Sequence, residues 1–253
     1  MLDLHVHLLG HNDRDANREN IRAFLDEASR RGLKEVGFAD HDYYWDQMNF
    51  PLIREVANDY PNLKVRIGLE AEYRPHEEGR IKNLLAQFPF DFVIGSVHEF
   101  DGWAFDYPEE EVMHWKKDAD ELYSRYFEVV TLAAKSGLFT TIGHFDLIKV
   151  FGVRPMKDIL TLADEALTTV AEHSLVLEVN TNGRYKLVQE FYPERRLIEE
   201  IQRRGIEFTL GSDAHCAENV GRDLEEASQL LRQIGVQSVV GFSRLNKVNY
   251  SLN

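Results

Sequence analysis

Arg204-Gly205-Ile206-Glu207-Phe208-Thr209-Leu210-Gly211-Ser212-Asp213-Ala214-His215 contains one complete structural period. An amphipathic stretch ends at a glycine, a short apolar run follows, a second glycine closes the run, and titratable side chains come next. A glycine just past a helix takes the left-handed cap that turns the chain into a strand. The unit recurs at Arg31-Gly32-Leu33 before Glu35-Val36-Gly37-Phe38, at Ser136-Gly137-Leu138 before Thr140-Thr141-Ile142, and at Ile234-Gly235-Val236 before Ser238-Val239-Val240. Helices alternating with apolar strands indicate βα units and a parallel sheet. Strands are expected over residues 3–7, 35–39, 64–69, 91–97, 139–143, 175–179 and 206–210, with a weaker eighth at 238–240. Ile21, Phe24, Leu25 and Ala28 form one helical stripe, and Ile159, Leu162, Ala163, Ala166, Leu167 and Val170 form another. Seven or eight such units suggest a closed or nearly closed (β/α) barrel. A doubly wound open sheet ranks second, because no Gly-x-Gly-x-x-Gly turn follows the first strand.

The composition bounds what such a barrel does. The chain has 253 residues, which suits one α/β barrel, and no linker or low-complexity segment divides it, so residues 1–253 are read as one domain. Asp and Glu number 43 against 29 Lys and Arg, a net charge of −14, which argues against a nucleic-acid partner. No apolar run approaches the roughly 18 residues that span a bilayer, and no signal peptide opens the chain, so no membrane partner and a cytoplasmic location are expected. Composition says nothing of oligomeric state. The single cysteine, Cys216, excludes an internal disulfide framework and a Cys-rich zinc site. Ten histidines are therefore the more informative count.

Five of the strands end with an apolar residue and glycine: Val36-Gly37, Ile67-Gly68, Ile94-Gly95, Ile142-Gly143 and Leu210-Gly211. Glycine weakens a strand, so its recurrence calls for a tight barrel corner or close backbone approach to bound groups. Directly after these glycines stand Asp40-His41, Glu70 and Glu72, His98, His144, and Asp213 with His215, and the first strand itself carries His5-Val6-His7. Strand C-terminal ends share one face of a parallel barrel, the face that carries barrel active sites. Each piece alone has an ordinary explanation: His-x-His fits strand packing, Asp40-His41 fits a turn, and a lone His98 or His144 fits a core histidine. Six strand ends collecting imidazole and carboxylate together point to a metal centre of Zn, Mn or Fe, with Mg possible but better matched to oxygen-only ligands.

In order and spacing, His5-Val6-His7, Ala39-Asp40-His41, Gly68-Leu69-Glu70-Ala71-Glu72, Gly95-Ser96-Val97-His98, Gly143-His144-Phe145-Asp146 and Gly211-Ser212-Asp213-Ala214-His215 resemble the motifs of the PHP (polymerase and histidinol phosphatase) superfamily. Val179-Asn180-Thr181-Asn182-Gly183 and Lys149-Val150-Phe151-Gly152 are similar to its histidinol-phosphate phosphatase branch. The resemblance implies a distorted seven-stranded (β/α) TIM-like barrel with the metal site at the strand C-terminal ends. It also implies two to three divalent ions and hydrolysis of a phosphate monoester, L-histidinol phosphate, in histidine biosynthesis. Carried over by position, His5, His7, Glu70 and Asp213 hold a first metal, and Glu70 bridges to a second held by His98 and His144. His41 and His215 hold a third, together with a residue of the loop after the first strand. For that residue the sequence offers His11, in a shortened Gly10-His11 element, or Asp13 at the family's usual spacing.

The metal ligands His41, Glu70, Asp213 and His215 double as the catalytic set, and the proton for the leaving alkoxide falls to His41, Asp213 or a water. Arg154 and Arg184 are candidates to clamp the phosphate, with Lys149 a third; a solvated surface role competes for each arginine. Glu72, Glu99, Asp101 and Asp106 are candidates for the substrate amine, and Tyr43, Trp45, Trp103 and Phe105 for stacking on its ring. Competing functions are a PHP phosphoesterase acting on another small ester, a phosphotyrosine or a nucleotide, and a metal-binding module without turnover.

Overall fold

The computed structural model describes residues 1–252. In chain order its elements are β1 (Leu2–Val6), α1 (Arg18–Arg30), β2 (Glu35–Phe38), α2 (Phe50–Ala57), β3 (Lys64–Glu72), α3 (Glu78–Leu85), β4 (Phe92–Ser96), β5 (Glu99–Phe100), β6 (Trp103–Ala104), α4 (Glu111–Lys116) and α5 (Ala119–Lys135). They continue as β7 (Thr141–Ile142), α6 (Ile159–Leu162), α7 (Asp164–Glu172), β8 (Val176–Asn180), α8 (Arg195–Arg203), β9 (Phe208–Gly211), α9 (Leu224–Gln233), β10 (Ser238–Ser243) and β11 (Asn246–Ser251). One seven-stranded sheet runs in the order β1-β2-β3-β4-β7-β8-β9. Seven strands wound in sequence order with helices between them make the nearly closed (β/α) barrel that the sequence suggests. No helix among the described residues is long and apolar enough to cross a membrane.

The chain divides into two compact units, with boundaries inside β3, between α3 and β4, inside β4 and directly ahead of β9. The first unit comprises Met1–Ala71, Pro89–Ile94 and the chain from Phe208 onward. Here β1 lies parallel to β2, and β2 parallel to β3. β1 is flanked on its other side by the segment after β9, through His7 N–H to Ala214 O (2.9 Å) and Ala214 N–H to His5 O (3.3 Å). Helix α1 starts where the Asn17 side chain accepts the Asn20 amide (2.9 Å) and stops before Gly32, whose φ of +70° provides the left-handed turn. It buries Ile21, Phe24, Leu25 and Ala28, the stripe read from the sequence, and the Phe24 ring meets Phe38 edge-on. Burying each of the large side chains stabilises the fold by about 1.5–3 kcal/mol.

The strand glycines have a packing explanation. A Cβ on Gly37 would lie 2.6 Å from the Phe92 ring, and one on Gly68 would strike the same ring. In the second unit a Cβ on Gly95 would meet the Phe139 ring at 2.5 Å. The three glycines make room for aromatic rings in the core, not for bound groups as expected. The eighth strand is also corrected. Ser238–Ser243 does not join the seven-stranded sheet but pairs antiparallel with β11 as a separate hairpin. Its two turn residues, Arg244 and Leu245, have φ of +50° and +65°, held by Asp91, which accepts the Arg244 amide through its side chain (3.1 Å) and the Leu245 amide through its backbone carbonyl (2.8 Å).

The second unit comprises Glu72–Phe88 and Gly95–Glu207. Strands β7 and β8 are parallel, with Thr141 opposite Val176. The helical stripe expected from Ile159 to Val170 is interrupted at Ala163, so it forms α6 and α7, and Leu162 is only half-buried. Asp158 caps α6 by accepting the Leu160 amide at 2.8 Å, and Asp118 caps α5 by accepting the Glu121 amide at 3.1 Å.

Candidate metal centre

In the first unit, strand alternation places His5 and His7 on one face of β1, and the turns after β2, β3 and β9 bring His41, Glu70, Asp213 and His215 to them. Glu70, fully buried, lies 3.4 Å from His5 Nε2, 3.5 Å from His7 Nε2 and 2.8 Å from His41 Nδ1. Asp213 Oδ1 lies 3.9 Å from His5 Nε2 and 3.3 Å from His7 Nε2. The ring of His215 stacks on that of His7 at 4.1 Å. Asp213 has a left-handed backbone, φ +53°, rare for a residue with a side chain, and such strain persists only where the surroundings enforce it. The enforcing group is Asp3, which is buried and accepts the Ser212 amide (2.9 Å), the Ser212 hydroxyl (2.5 Å) and the Gly221 amide (2.7 Å).

Two triads converge: His7, His41 and His215, and His5, His7 and Asp213; within each, the candidate donor atoms all lie within 4.8 Å of one another. Burial first, then the neighbouring His215 and His41, pushes the His7 imidazole well below its ordinary pKa, and burial lowers His215 as well. Burial alone would raise the Asp213 carboxyl, but His5, His7 and His215 around it outweigh that and hold it well below the usual range. His7 and His215 are thereby held neutral beside an ionised Asp213, the protonation states that bind metals. Among the described residues nothing hydrogen-bonds the buried Nδ1 of His7 or Nε2 of His215, and His7 Nε2 meets only the carboxylates of Glu70 and Asp213. Buried polar atoms of this kind normally find a hydrogen-bond partner, so the donor set fits a divalent cation.

Of the two candidates in the loop after β1, His11 turns toward the cluster, its ring 4.2 Å from that of His215 and 6.1 Å from that of His41. Asp13 lies against Arg14 at 3.4 Å and is 64% exposed. The loop is anchored by Asp40, whose carboxylate accepts the Leu8 (3.0 Å) and Leu9 (2.7 Å) amides and whose pKa is pushed up to about 7 by burial.

In the second unit the rings of His98 and His144 lie 4.8 Å apart. Glu72 Oε2 sits 2.6 Å from His98 Nδ1, and Glu178 accepts the His144 amide at 2.8 Å. Asp3, Glu72 and Glu178 thus act on the histidine motifs without being expected as ligands. Their sequence signal is a carboxylate inside an otherwise buried strand, two residues from a ligand in the first two cases.

The basic candidates separate. Lys149 is wholly buried, and its ammonium reaches Asp146 (3.0 Å), Glu190 (3.1 Å) and the Phe191 carbonyl (2.7 Å). An ammonium has three donors, and all three are used, so the expectation of a phosphate ligand at Lys149 is corrected to a structural one. Arg154 pairs with Glu190 (2.6 Å) and Glu194 (3.1 Å). Arg184 is exposed, with its guanidinium 5.4 Å from the centre of the Phe191 ring. Among the acidic candidates, Glu72 is engaged with His98, Glu99 pairs with Arg74 (2.8 Å) and Asp101 with Arg125 (2.7 Å). Asp106 differs, with one buried carboxylate oxygen that no group hydrogen-bonds. Of the aromatic candidates Phe105 is fully buried, so it presents no face to a substrate, whereas Tyr43 is exposed and Trp45 and Trp103 are half-buried.

The chain is similar to known proteins in sequence and in fold. The PHP domain family model matches residues 3–182. A Deinococcus radiodurans protein named probable histidinol-phosphatase is 38% identical over 250 residues, covering 93% of this chain and 94% of its own. Histidinol-phosphatase of Lactococcus lactis is 28% identical over 260 residues, covering 96% and 94%. The crystal structure of histidinol phosphate phosphatase from Lactococcus lactis, complexed with zinc, L-histidinol and phosphate, superposes with a TM-score of 0.80 at 24% identity, covering 98% of each chain. The family match spans well over half of the sequence, and the chain belongs to the PHP domain family.

Proposed function

We propose that this protein is a metal-dependent phosphomonoesterase that hydrolyses L-histidinol phosphate to L-histidinol and phosphate. The observation that carries the reading is the buried cluster of imidazoles around Glu70 and Asp213, with His7 and His215 nitrogens left for a cation. The names of the relatives, and the zinc, L-histidinol and phosphate in the Lactococcus lactis structure, support the substrate.

Two to three divalent ions are assigned, of Zn, Mn or Fe. His5, His7, Glu70 and Asp213 would hold one, and His41, His215 and His11 another. The order of the motifs, rather than a distance, supports adding His98 and His144 to Glu70 for the remaining ion. Bound at such donors, divalent ions supply ionised water at neutral pH and neutralise charge on a phosphoryl group. The chain's own residues do the rest. Arg184 offers a planar fork of donors to orient phosphate oxygens, and His41 or Asp213 protonates the leaving alkoxide. Asp106 would accept the substrate ammonium, because the other acidic candidates, Glu72, Glu99 and Asp101, are each already paired. A −14 chain binds a phosphate dianion through ions and a local guanidinium, not through net charge.

A panel of phosphate esters scored by kcat/KM tests the substrate. Histidinol phosphate should exceed phosphotyrosine and nucleoside monophosphates by at least tenfold. A preference for either of the others would keep the phosphatase chemistry and reject the substrate, and no turnover of any would make the barrel a binding module.

A further inference from the structure

Glu70 and Glu72 stand two residues apart on β3, and their environments differ. Glu72 is 5% exposed and satisfies the segment that follows β4: its Oε1 accepts the amides of His98 and Glu99, each at 3.1 Å, and its Oε2 lies 2.6 Å from His98 Nδ1. With Oε1 taken by two amide donors, Oε2 faces Nδ1, and a carboxylate oxygen accepts, so the proton of that contact belongs to His98 Nδ1. A neutral imidazole has one N–H and one lone pair, and the lone pair is therefore on Nε2.

We propose that Glu72 is a positioning residue: it fixes the tautomer and the orientation of His98 so that Nε2 presents its lone pair to a divalent cation. The inference rests on the reading of His98 as a metal ligand. It assigns to Glu72 a task other than meeting the substrate amine, for which both of its oxygens are already committed. A carboxylate behind a metal-bound imidazole typically changes metal affinity by 10–100-fold when removed.

The geometry makes an unusual prediction about which substitution does more harm. In Glu72→Gln the two backbone amides still require an oxygen acceptor, which turns the new NH2 group toward His98 Nδ1. Nδ1 must then accept, the proton moves to Nε2, and the ligand atom is blocked. In Glu72→Ala neither tautomer is enforced. A merely structural role predicts the opposite order, since glutamine keeps the shape of glutamate and alanine leaves a void.

The test uses the full chain without substrate. Long-range proton–nitrogen correlation spectra of the metal-free protein, with the His98 signals assigned from a His98→Asn variant, should show Nδ1–H in the wild type and Nε2–H in Glu72→Gln. Calorimetric titration with Mn²⁺ or Zn²⁺ should show one site weakened by roughly 10–100-fold in Glu72→Gln, and by less in Glu72→Ala. Wild-type affinity in Glu72→Gln, an unchanged tautomer, or stronger binding by Glu72→Gln than by Glu72→Ala would each overturn the proposal. Because neither readout involves turnover, the expected titration without phosphatase activity would reject the proposed function and leave the role of Glu72 standing.

Discussion

Replacing Lys149 with methionine separates a phosphate-binding lysine from a structural one. The wild-type ammonium is enclosed by Asp146 at 3.0 Å, Glu190 at 3.1 Å and the Phe191 carbonyl at 2.7 Å. Methionine keeps the length of the side chain and removes the charge, leaving the fully buried Asp146 without its counter-ion. Breaking a buried pair from one side costs about 3–5 kcal/mol. Burial already raises the Asp146 carboxyl, with Lys149 pulling it back, so in the variant the carboxyl takes up a proton and the loss stays near the lower figure. At about 2–4 °C per kcal/mol for a chain of this size, Tm should fall by roughly 6–12 °C at pH 7. A buried carboxyl whose folded pKa rises above its unfolded value binds more protons in the folded state through the window between the two. Its penalty therefore fades on acidification, and the gap to wild type should narrow toward pH 4. Lys149→Met combined with Asp146→Asn should recover part of the loss, because no unpaired charge remains. Circular dichroism melts give Tm, and steady-state assays well below Tm should return an unchanged KM. An unchanged Tm with a large rise in KM would show that the ammonium meets the phosphate and would refute the structural assignment.

Gly37→Ala sets a methyl 2.6 Å from the Phe92 ring and should cost about 1–3 kcal/mol by denaturant titration, largely relieved by Phe92→Leu. Additive effects in the double variant would contradict the packing explanation. His114 is buried, its Nε2 2.8 Å from the Phe105 carbonyl, and burial lowers its pKa below the ordinary 6.5. The unfolded chain thus takes up a proton before the folded one does, so the stability that neutral His114 contributes is complete above about pH 6.5 and is lost as pH falls toward the lowered value. His114→Gln should remove that part of the slope of stability against pH, and identical slopes in variant and wild type would exclude it. Asp106→Asn should raise KM for histidinol phosphate about tenfold while leaving an ester without an amine unaffected, an ion pair of moderate strength being worth about 1.4 kcal/mol. Equal effects on both esters would deny Asp106 the ammonium.

The barrel strands were legible as short apolar runs, preceded at β2, β7 and β9 by a capping glycine, and most ligand candidates were legible because they stand where such a run ends. The hairpin of β10 and β11 was not. Ser238-Val239-Val240 after Gly235 carries the same local signal as a barrel strand, and its Arg244-Leu245 turn lacks the Asn-Gly or Asp-Gly that marks a tight hairpin. The positive φ values there are enforced by Asp91, some 150 residues earlier in the chain, a contact no local pattern displays. The strand glycines were seen but misread, since the rings that occupy their missing side chains, Phe92 and Phe139, are distant in sequence. Lys149 failed for a related reason: position at a strand end marks the active face, but three acceptors around one ammonium are set by tertiary contacts. His11 and Asp13 are distinguished by ring packing against His215, which the spacing of the two residues does not encode.

If the buried imidazole and carboxylate cluster holds the ions that hydrolysis requires, phosphate release depends on them. Phosphate release from L-histidinol phosphate is measured on one preparation before chelation, after chelation and dialysis, and after addition of Mn²⁺ or Zn²⁺, with bound metal per chain determined at each stage. Activity should disappear with the metal and return as two to three ions per chain are restored, whereas full activity in the metal-stripped protein would contradict the account.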